Sequence, residues 1–379
     1  MLLAAAMRIL LVGNYPLDRQ SSMLRYAEML RSGLMERGHI VELIQPKIVV
    51  GGLISKPFVS KWLGYIDKYL FFPPRLRRHA RGFDLVHVCD HSNSMYLPHL
   101  QGRPASITCH DLLAVYSALG RYPQQHISAT GRLQQRWISR NLVRARNVVC
   151  VSQQTARELK KLGRSGEVMV IAHPLNFDFH PVDAAVVSAI KHKACLRDEE
   201  HYLLHVGGNQ WYKNRPGVVR IFQKLQGHPA FAQTRLVLAG KPWPVELRAL
   251  VEQLDLRQKV VEMADPTDEE LRALYTGATA LLYPSLYEGF GWPVLEAQSC
   301  GCPVITSNRA PMTEVAGNAA VFVDPENEEA AAQTILQSVP SFASLRVAGF
   351  ENAKRFSHQA AMDAYEKFFA GIVTPGKPN

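Results

Sequence analysis

Residues 283–303 read Tyr-Pro-Ser-Leu-Tyr-Glu-Gly-Phe-Gly-Trp-Pro-Val-Leu-Glu-Ala-Gln-Ser-Cys-Gly-Cys-Pro, and two acids in this stretch, Glu288 and Glu296, are separated by seven residues. A carboxylate is a good acceptor for paired hydroxyls, so each could hold one ring of a polyol. Between them, Gly289 and Gly291 let the backbone come close to a ligand. Amides at a helix start, with the helix dipole behind them, favour an anion there. Phosphate held in the middle with hydroxyls on either side fits a nucleotide sugar. A further candidate is Lys213, in His-Val-Gly-Gly-Asn-Gln-Trp-Tyr-Lys-Asn (205–214), because a compact cation can neutralise a departing diphosphate. Arg215 follows it, and His110-Asp111 is a third polar candidate.

The elements that must position these groups can be read from the pattern. The apolar run 280–283 is a buried strand, and Pro293 stands where a helix takes its first residue, which puts Glu288 on the loop and Glu296 in the first helical turn. Lys213 falls in the loop after a strand at 202–206. His110 follows a strand at 105–109, at the C-terminal end where parallel sheets bind ligands, although a lone histidine there reads more readily as a structural hydrogen-bonder. Strands are expected at 8–13, 39–44, 85–89, 105–109, 147–151 and 168–171, and again at 202–206, 235–239, 260–263, 280–283, 304–307 and 320–323. Helix-length gaps separate most of them. Ser22 is placed as the cap of the first helix, Gly38 at its end, and Ser152 as the cap of a later one. The result is an α/β chain with two doubly wound sheets, linked between about residues 176 and 186. The first turn, Gly13-Asn14-Tyr15-Pro16, lacks the glycine fingerprint of a dinucleotide site.

The 283–303 stretch resembles the signature of the retaining glycosyltransferases of the GT-B fold, family four. That signature is two glutamates with this separation followed by Ala-x-x-Cys-Gly-x-Pro-Val-Ile, here Ala297, Cys300, Gly301, Pro303, Val304 and Ile305. The resemblance spans nearly the whole chain and is most specific over 283–324. It implies two Rossmann-like domains facing a central cleft: 1–180 on the acceptor side, with a C-terminal helix at 358–372 packing back on it, and 181–357 binding the nucleotide sugar. The implied reaction moves a hexose, of mannose or glucose type, from a nucleoside diphosphate sugar to an acceptor hydroxyl with retained configuration, in polysaccharide or glycolipid assembly. Glu288, His110 and Lys213 would be catalytic, and Glu296, Gly289, Phe290, Gly291 and Arg215 would bind the donor. The family usually carries an arginine a few residues before its lysine. Nothing basic lies between Val206 and Lys213, so either Arg215 substitutes or Lys213 and loop amides act alone. Ser21 and Ser22 stand where the family often has a glycine pair, and read as loop caps. No Asp-x-Asp pair occurs, so no cofactor and no metal is expected. Rival readings are a GT-B-like sugar-nucleotide epimerase, which needs no acceptor, a phosphorylase, for which no pyridoxal motif is present, and a catalytically silent nucleotide-binding subunit.

The bulk numbers set the frame. With 379 residues and a hydrophobic fraction of 47%, the chain can fill two ordinary cores. No run of about 18 apolar residues is present. Residues 1–6 are apolar but short, and read as an extension ahead of the first strand. The six cysteines lack zinc or disulfide spacing, which suggests a reducing cytoplasm. Residues 1–180 carry 24 lysines and arginines against 11 acids; the remainder carries 19 against 22. The basic half points to an anionic partner. Its focus is 56–81, where Lys56, Lys61, Lys68, Arg75, Arg77, Arg78 and Arg81 interleave with Phe58, Trp62, Tyr65, Tyr69, Phe71 and Phe72, divided by Pro73-Pro74. Two readings are open for it: peripheral contact with an anionic membrane, at the inner face, or an amphipathic helix with its aromatics in the core. Nucleic acid is a poorer fit, since no binding module surrounds the patch. The acceptor is expected to be a carbohydrate or a lipid-linked molecule, and residues 375–379 a frayed tail.

Overall fold

The computed structural model describes residues 6–18, 20–53 and 57–373. Residues 1–5, Lys56, the side chains of Ser21 and Phe58, and the tail at 375–379 lie outside the described residues. The chain divides into two compact units, 1–176 with 358–379, and 177–357. The division falls four residues ahead of the expected 180/181 boundary. The cause is local: Phe179 is buried edge-on against Tyr275, and Val182 N–H donates to Thr276, which ties this segment into the second unit.

In the first unit the strands are β1 (Arg8–Val12), β2 (Ile40–Ile44), β3 (Leu85–Val88), β4 (Ala105–Cys109), β5 (Asn147–Cys150) and β6 (Met169–Val170), in the spatial order β2-β1-β3-β4-β5-β6. All pairings are parallel. Helices cover both faces, so β1 is a continuous apolar run with Ile9, Leu10, Leu11 and Val12 fully buried, while β3 and β4 also bury a polar set in which His87 bonds to Ser106 and Thr108. Helix His358–Val373 belongs to this unit, where Met362, Tyr365 and Phe369 join Ile9, Leu11 and Leu30 in one core. Its polar face is also held: Arg37 pairs with Asp363 and Glu366, each at 2.5 Å.

The second unit repeats the plan with β7 (Tyr202–Gly207), β8 (Arg235–Gly240), β9 (Val260–Ala264), β10 (Ala280–Tyr283), β11 (Val304–Ser307) and β12 (Val321–Val323), in the order β12-β11-β10-β7-β8-β9 and again all parallel. Every strand expected from the sequence forms, with ends displaced by at most one residue. Ser152 caps its helix as expected, accepting from Thr155 N–H at 3.1 Å. Ser22 does not. The helix Ser21–Glu36 starts two residues earlier, after Gln20, and takes Ser22 into its first turn.

Residues 57–79 form one helical path: an α-helix (Pro57–Ile66), a π-turn (Asp67–Phe71) and a second α-helix (Phe72–His79). Pro73 and Pro74 open the second helix, where a missing N–H costs nothing, and so do not divide the stretch as the sequence suggested. The π-turn turns Asp67 inward, where it accepts from the Tyr15 hydroxyl at 2.7 Å and from the amides of Val49, Val50 and Gly51 at 3.0–3.1 Å. Lys68 is likewise withdrawn, 3.0 Å from Asp18 and over the rings of Tyr15 and Tyr65. Phe72 is buried, while Trp62, Ile66, Leu70 and Phe71 face outward, so the aromatic and apolar groups of the segment divide between core and surface.

Burial alone would raise the pKa of Asp67, but the Tyr15 hydroxyl and three amides more than offset it and hold the carboxyl below its ordinary range. Its contribution is therefore complete above the unfolded-state value and is lost as pH falls through the lower folded value. Asp67→Ala, which strands the tyrosine hydroxyl and three amides, is expected to cost on the order of 3 kcal/mol in urea unfolding at pH 7. The difference from wild type should shrink in acid.

Candidate active site

In the second unit, β10 leads into a loop and then the helix Trp292–Ser299. Gly291 is the residue before the helix and has φ 111°, a left-handed conformation that suits glycine; a Cβ there would lie 2.2 Å from Met312 Cε. Because the loop ends at Gly291, Trp292 takes the first helical position and Pro293 the second. Glu296 is thus the fifth helical residue and lies beyond the first turn, one step further in than the sequence indicated. It is nearly buried, and Tyr275 donates to its Oε2 at 2.8 Å. Burial, with the Glu296 charge beside it, keeps the Tyr275 hydroxyl protonated and able to donate.

Lys213 ends the single 3₁₀ turn Trp211–Lys213, after which Asn214 adopts φ 56° and starts the helix Arg215–Leu225. The Asn214 amide donates to the carbonyls of Pro284 and Pro325, both at 3.0 Å, and Leu286 N–H donates to the Tyr212 carbonyl at 2.8 Å. The loop after β7 is thereby stitched to the loop after β10. As a result Lys213 Nζ stands 2.8 Å from Glu288 Oε1 and 2.7 Å from the Tyr283 hydroxyl. Tyr283 itself donates to the same carboxylate oxygen at 2.6 Å, and Ser285 Oγ reaches it at 2.7 Å. The lysine and glutamate side chains are only 17% and 11% exposed. Two of the three ammonium N–H groups serve Glu288 and Tyr283, leaving one. Sequence reasoning gave Lys213 and Glu288 separate jobs; the structure pairs them. It missed Tyr283 and Ser285, whose signal was their place at the end of the β10 strand, on either side of Pro284, which turns the chain.

His205, on β7, stacks on the Tyr283 ring with centroids 5.8 Å apart. Burial pushes its pKa down to about 3, so the ring is neutral, and Nδ1–H donates to the Leu282 carbonyl at 3.0 Å. Arg215 is buried, and its terminal N–H groups go to Asn209 Oδ1 and to the carbonyls of Gly207, Ala239 and Lys241, at 2.6–3.3 Å. The donor contact expected of Arg215 would require breaking these bonds. What the guanidinium does in this structure is bind the ends of β7 and β8 together. Phe290 is buried edge-on against Phe356, and Gly289 lies beside it on the loop.

In the first unit, polar groups gather at the strand ends. His110, after β4, is buried with both ring nitrogens engaged: Nε2–H donates to the Cys89 carbonyl at 2.7 Å, and Nδ1 is 3.1 Å from His173 Nε2. The two rings are nearly parallel, with Tyr26 edge-on to both. Burial lowers both pKa values, which makes a neutral pair in which His173 donates. His110 therefore shows the structural hydrogen-bonding role here. After β3, Asp90 accepts from Asn14 at 2.5 Å and from Ser92 N and Oγ at 3.0 and 2.6 Å. His91 Nδ1 lies 3.2 Å from Asp90, close enough for charge attraction although the angle makes no hydrogen bond. Among the described residues, no group of three or more His, Cys, Asp or Glu is arranged to hold a metal ion, and no helix is long and apolar enough to cross a membrane.

Comparison with known proteins gives two family matches: the model for glycosyl transferases group 1 over residues 187–354, and that for glycosyltransferase family 4 over residues 23–179. The O-antigen chain mannosyltransferase B of Escherichia coli is 30% identical over 77% of this chain and 76% of its own length. The O-antigen chain mannosyltransferase RfbU of Salmonella typhimurium is 33% identical over 35% of this chain and 37% of its own. Among solved structures, sucrose-phosphate synthase from Thermosynechococcus elongatus superposes with a TM-score of 0.75 at 21% identity, covering 96% of this chain and all of its own. HepE of Anabaena, solved with UDP and glucose, gives a TM-score of 0.71 at 18% identity, covering 95% of this chain and 98% of its own. These superpositions show a two-domain GT-B fold.

Gly291→Ala places a Cβ against Met312 in an unfavourable backbone region and is expected to cost about 1–3 kcal/mol, read from denaturant unfolding of the second unit. A pH series should show a second effect. His87 and His205 have folded pKa values of about 3, and those of His110 and His173 are also lowered, while the unfolded value is 6.5. Below that value the unfolded chain binds protons the folded chain refuses, so each histidine removes about 1.4 kcal/mol per pH unit. His91, raised by Asp90 and Asp111 against the effect of burial, opposes them. Unfolding midpoints should drop clearly between pH 7 and pH 5.

Proposed function

We propose that this chain, which belongs to the group 1 glycosyltransferases, moves a hexose from a nucleoside diphosphate sugar onto a hydroxyl of a carbohydrate or lipid-linked acceptor in polysaccharide assembly. The transfer proceeds with retained anomeric configuration and without a metal ion. Mannose is favoured over glucose by the names of the two O-antigen relatives. The observation that carries the reading is the convergence of Lys213, Tyr283 and Ser285 on Glu288 at the end of a parallel strand, beside a glycine-hinged loop and a helix start.

In this reading the remaining ammonium N–H of Lys213 and the backbone of 289–291 receive the diphosphate, where negative charge grows as the sugar leaves. Glu288 turns its other carboxylate oxygen to the sugar hydroxyls, and Glu296 takes the ribose. Three donors on Oε1 make Glu288 a poor nucleophile and a good hydroxyl acceptor, which favours attack on one face. The bond from the anomeric carbon to phosphate oxygen breaks, the bond to the acceptor oxygen forms, and the acceptor proton passes to the leaving phosphate. Phe290 walls the loop, and Arg215 supports it from behind. A part for His110 in the transfer would require it to give up its bond to His173 or to Cys89.

The test is a panel of UDP-, GDP- and ADP-sugars scored by thermal stabilisation and by product formation with and without acceptor, in the presence of a chelator. Lys213→Ala should lower kcat by about 10²–10³ with a smaller change in donor KM. Glu296→Ala should weaken donor binding by about tenfold or more with kcat largely kept. Wild-type kinetics in both variants would remove the assignment. An isomerised nucleotide sugar formed without acceptor would replace it with the epimerase reading.

A further inference from the structure

The helix Ala129–Arg144 in the first unit contains no acidic residue and sets Arg132, Arg136, Arg140 and Arg144 at four-residue spacing along one side. All four are exposed, and among the described residues no carboxylate pairs with Arg136, Arg140 or Arg144. Beside this row, Leu133 and Trp137 are 70% and 41% exposed. On the neighbouring helical path, Trp62, Ile66 and Leu70 recur at the same spacing, and Trp62 and Leu70 are 47% and 63% exposed. A groove of about 600 Å³ runs between the two elements. Tyr65 and Tyr69 stack in its wall, Trp137 meets Tyr69 edge-on at 5.3 Å, and Gln134 fixes the Tyr69 hydroxyl at 2.8 Å.

An ordinary surface helix turns its large apolar groups inward and intersperses its cations with acids. This face does neither, and a contiguous apolar patch rimmed by charge marks an interaction site. The neighbouring segment adds Lys61 and no available acid, since Asp67 is committed inside. Tryptophan and tyrosine suit a water–hydrocarbon boundary, and long arginine side chains can hold phosphate while their stems cover apolar surface. We propose that this face binds the surface of an anionic phospholipid bilayer, with one lipid chain in the Tyr65–Trp137 groove and lipid phosphates against Arg136 and Arg140. The proposal is independent of the transferase reading, because it uses none of the residues assigned to donor or transfer.

The full chain is tested by flotation with vesicles of phosphatidylcholine alone and with added phosphatidylglycerol, at low and high salt, and by quenching of tryptophan fluorescence with bromine-labelled lipid chains. The wild type should float only with phosphatidylglycerol, lose most binding at high salt, and be quenched. Arg136→Glu with Arg140→Glu should lower vesicle affinity on the order of thirtyfold or more. Trp62→Ser with Trp137→Ser should also reduce it and abolish quenching. These are exposed positions, and unchanged circular dichroism and thermal unfolding confirm that each variant folds. Absence of flotation at every salt overturns the proposal, as does wild-type binding by both variants. Flotation without quenching overturns the groove, and a concentration-dependent dimer abolished by the tryptophan variant assigns the face to a second copy instead.

Discussion

A carboxylate and an ammonium held almost out of water cannot be left to find each other. Glu288 and Lys213 are 11% and 17% exposed, and removing two charges from water costs several kcal/mol apiece unless close partners replace much of the lost hydration. The cost is offset because three donors meet one carboxylate oxygen at 2.6–2.8 Å. That arrangement demands that a strand end, a loop and a 3₁₀ turn from distant parts of the sequence be fixed to within tenths of an ångström. The parallel sheet supplies this. β10 pairs directly with β7, so the loops leaving their C-terminal ends are neighbours, and Asn214 and Leu286 lock one to the other through backbone carbonyls. Arg215 does the same between β7 and β8.

The same polarity governs the first sheet with different chemistry. Asn14 follows β1, Asp90 follows β3 and His110 follows β4, and these adjacent strands bring the three polar ends together. There the solution is neutral imidazoles bonded to each other and a carboxylate surrounded by donors, with His91 alongside. Asp90 is held well below the ordinary carboxylate range: burial alone would raise it, and His91, with the nearby His110 and Ser92, reverses the sign. Both sheets thus gather ionised or hydrogen-bonding groups at the C-terminal ends of their strands, while polar side chains inside them, such as His87 between Ser106 and Thr108, are bonded to one another.

Much of this was legible in the sequence because it rests on local pattern. Strands buried on both faces give unmistakable apolar runs, and glycine and proline marked the loop before residue 292. What the sequence could not carry was partnership. Lys213 and Glu288 are 75 residues apart in sequence, and nothing in either neighbourhood announces that they bond. The commitment of Arg215 to carbonyls was hidden for the same reason: a buried arginine bonded to backbone looks, as a letter, like one that meets phosphate. In 56–81 the pattern showed both cations and aromatics, but a π-turn decides which of them face inward, and its shift of phase withdrew Lys68 while leaving Trp62 and Leu70 outside. The arginine row on 129–144 was readable by spacing alone, yet it gains meaning only once the neighbouring helix supplies the facing aromatics.

The pairing of Lys213 with Glu288 also bears on what the proposed site would accept. A lone lysine would bind any phosphate, inorganic or organic, with similar readiness. Beside Glu288 the same ammonium is largely neutralised, and a bare phosphate brought to it would meet a carboxylate 2.8 Å away from the cation it seeks. Only a ligand that carries hydroxyls next to its phosphate can turn that carboxylate from a repelling group into an acceptor. Discrimination then comes from a penalty against the wrong ligand as much as from attraction for the right one. On this reading the pair selects a sugar and a diphosphate together, and the tyrosine and serine that fix Glu288 keep that selection from relaxing into simple anion binding.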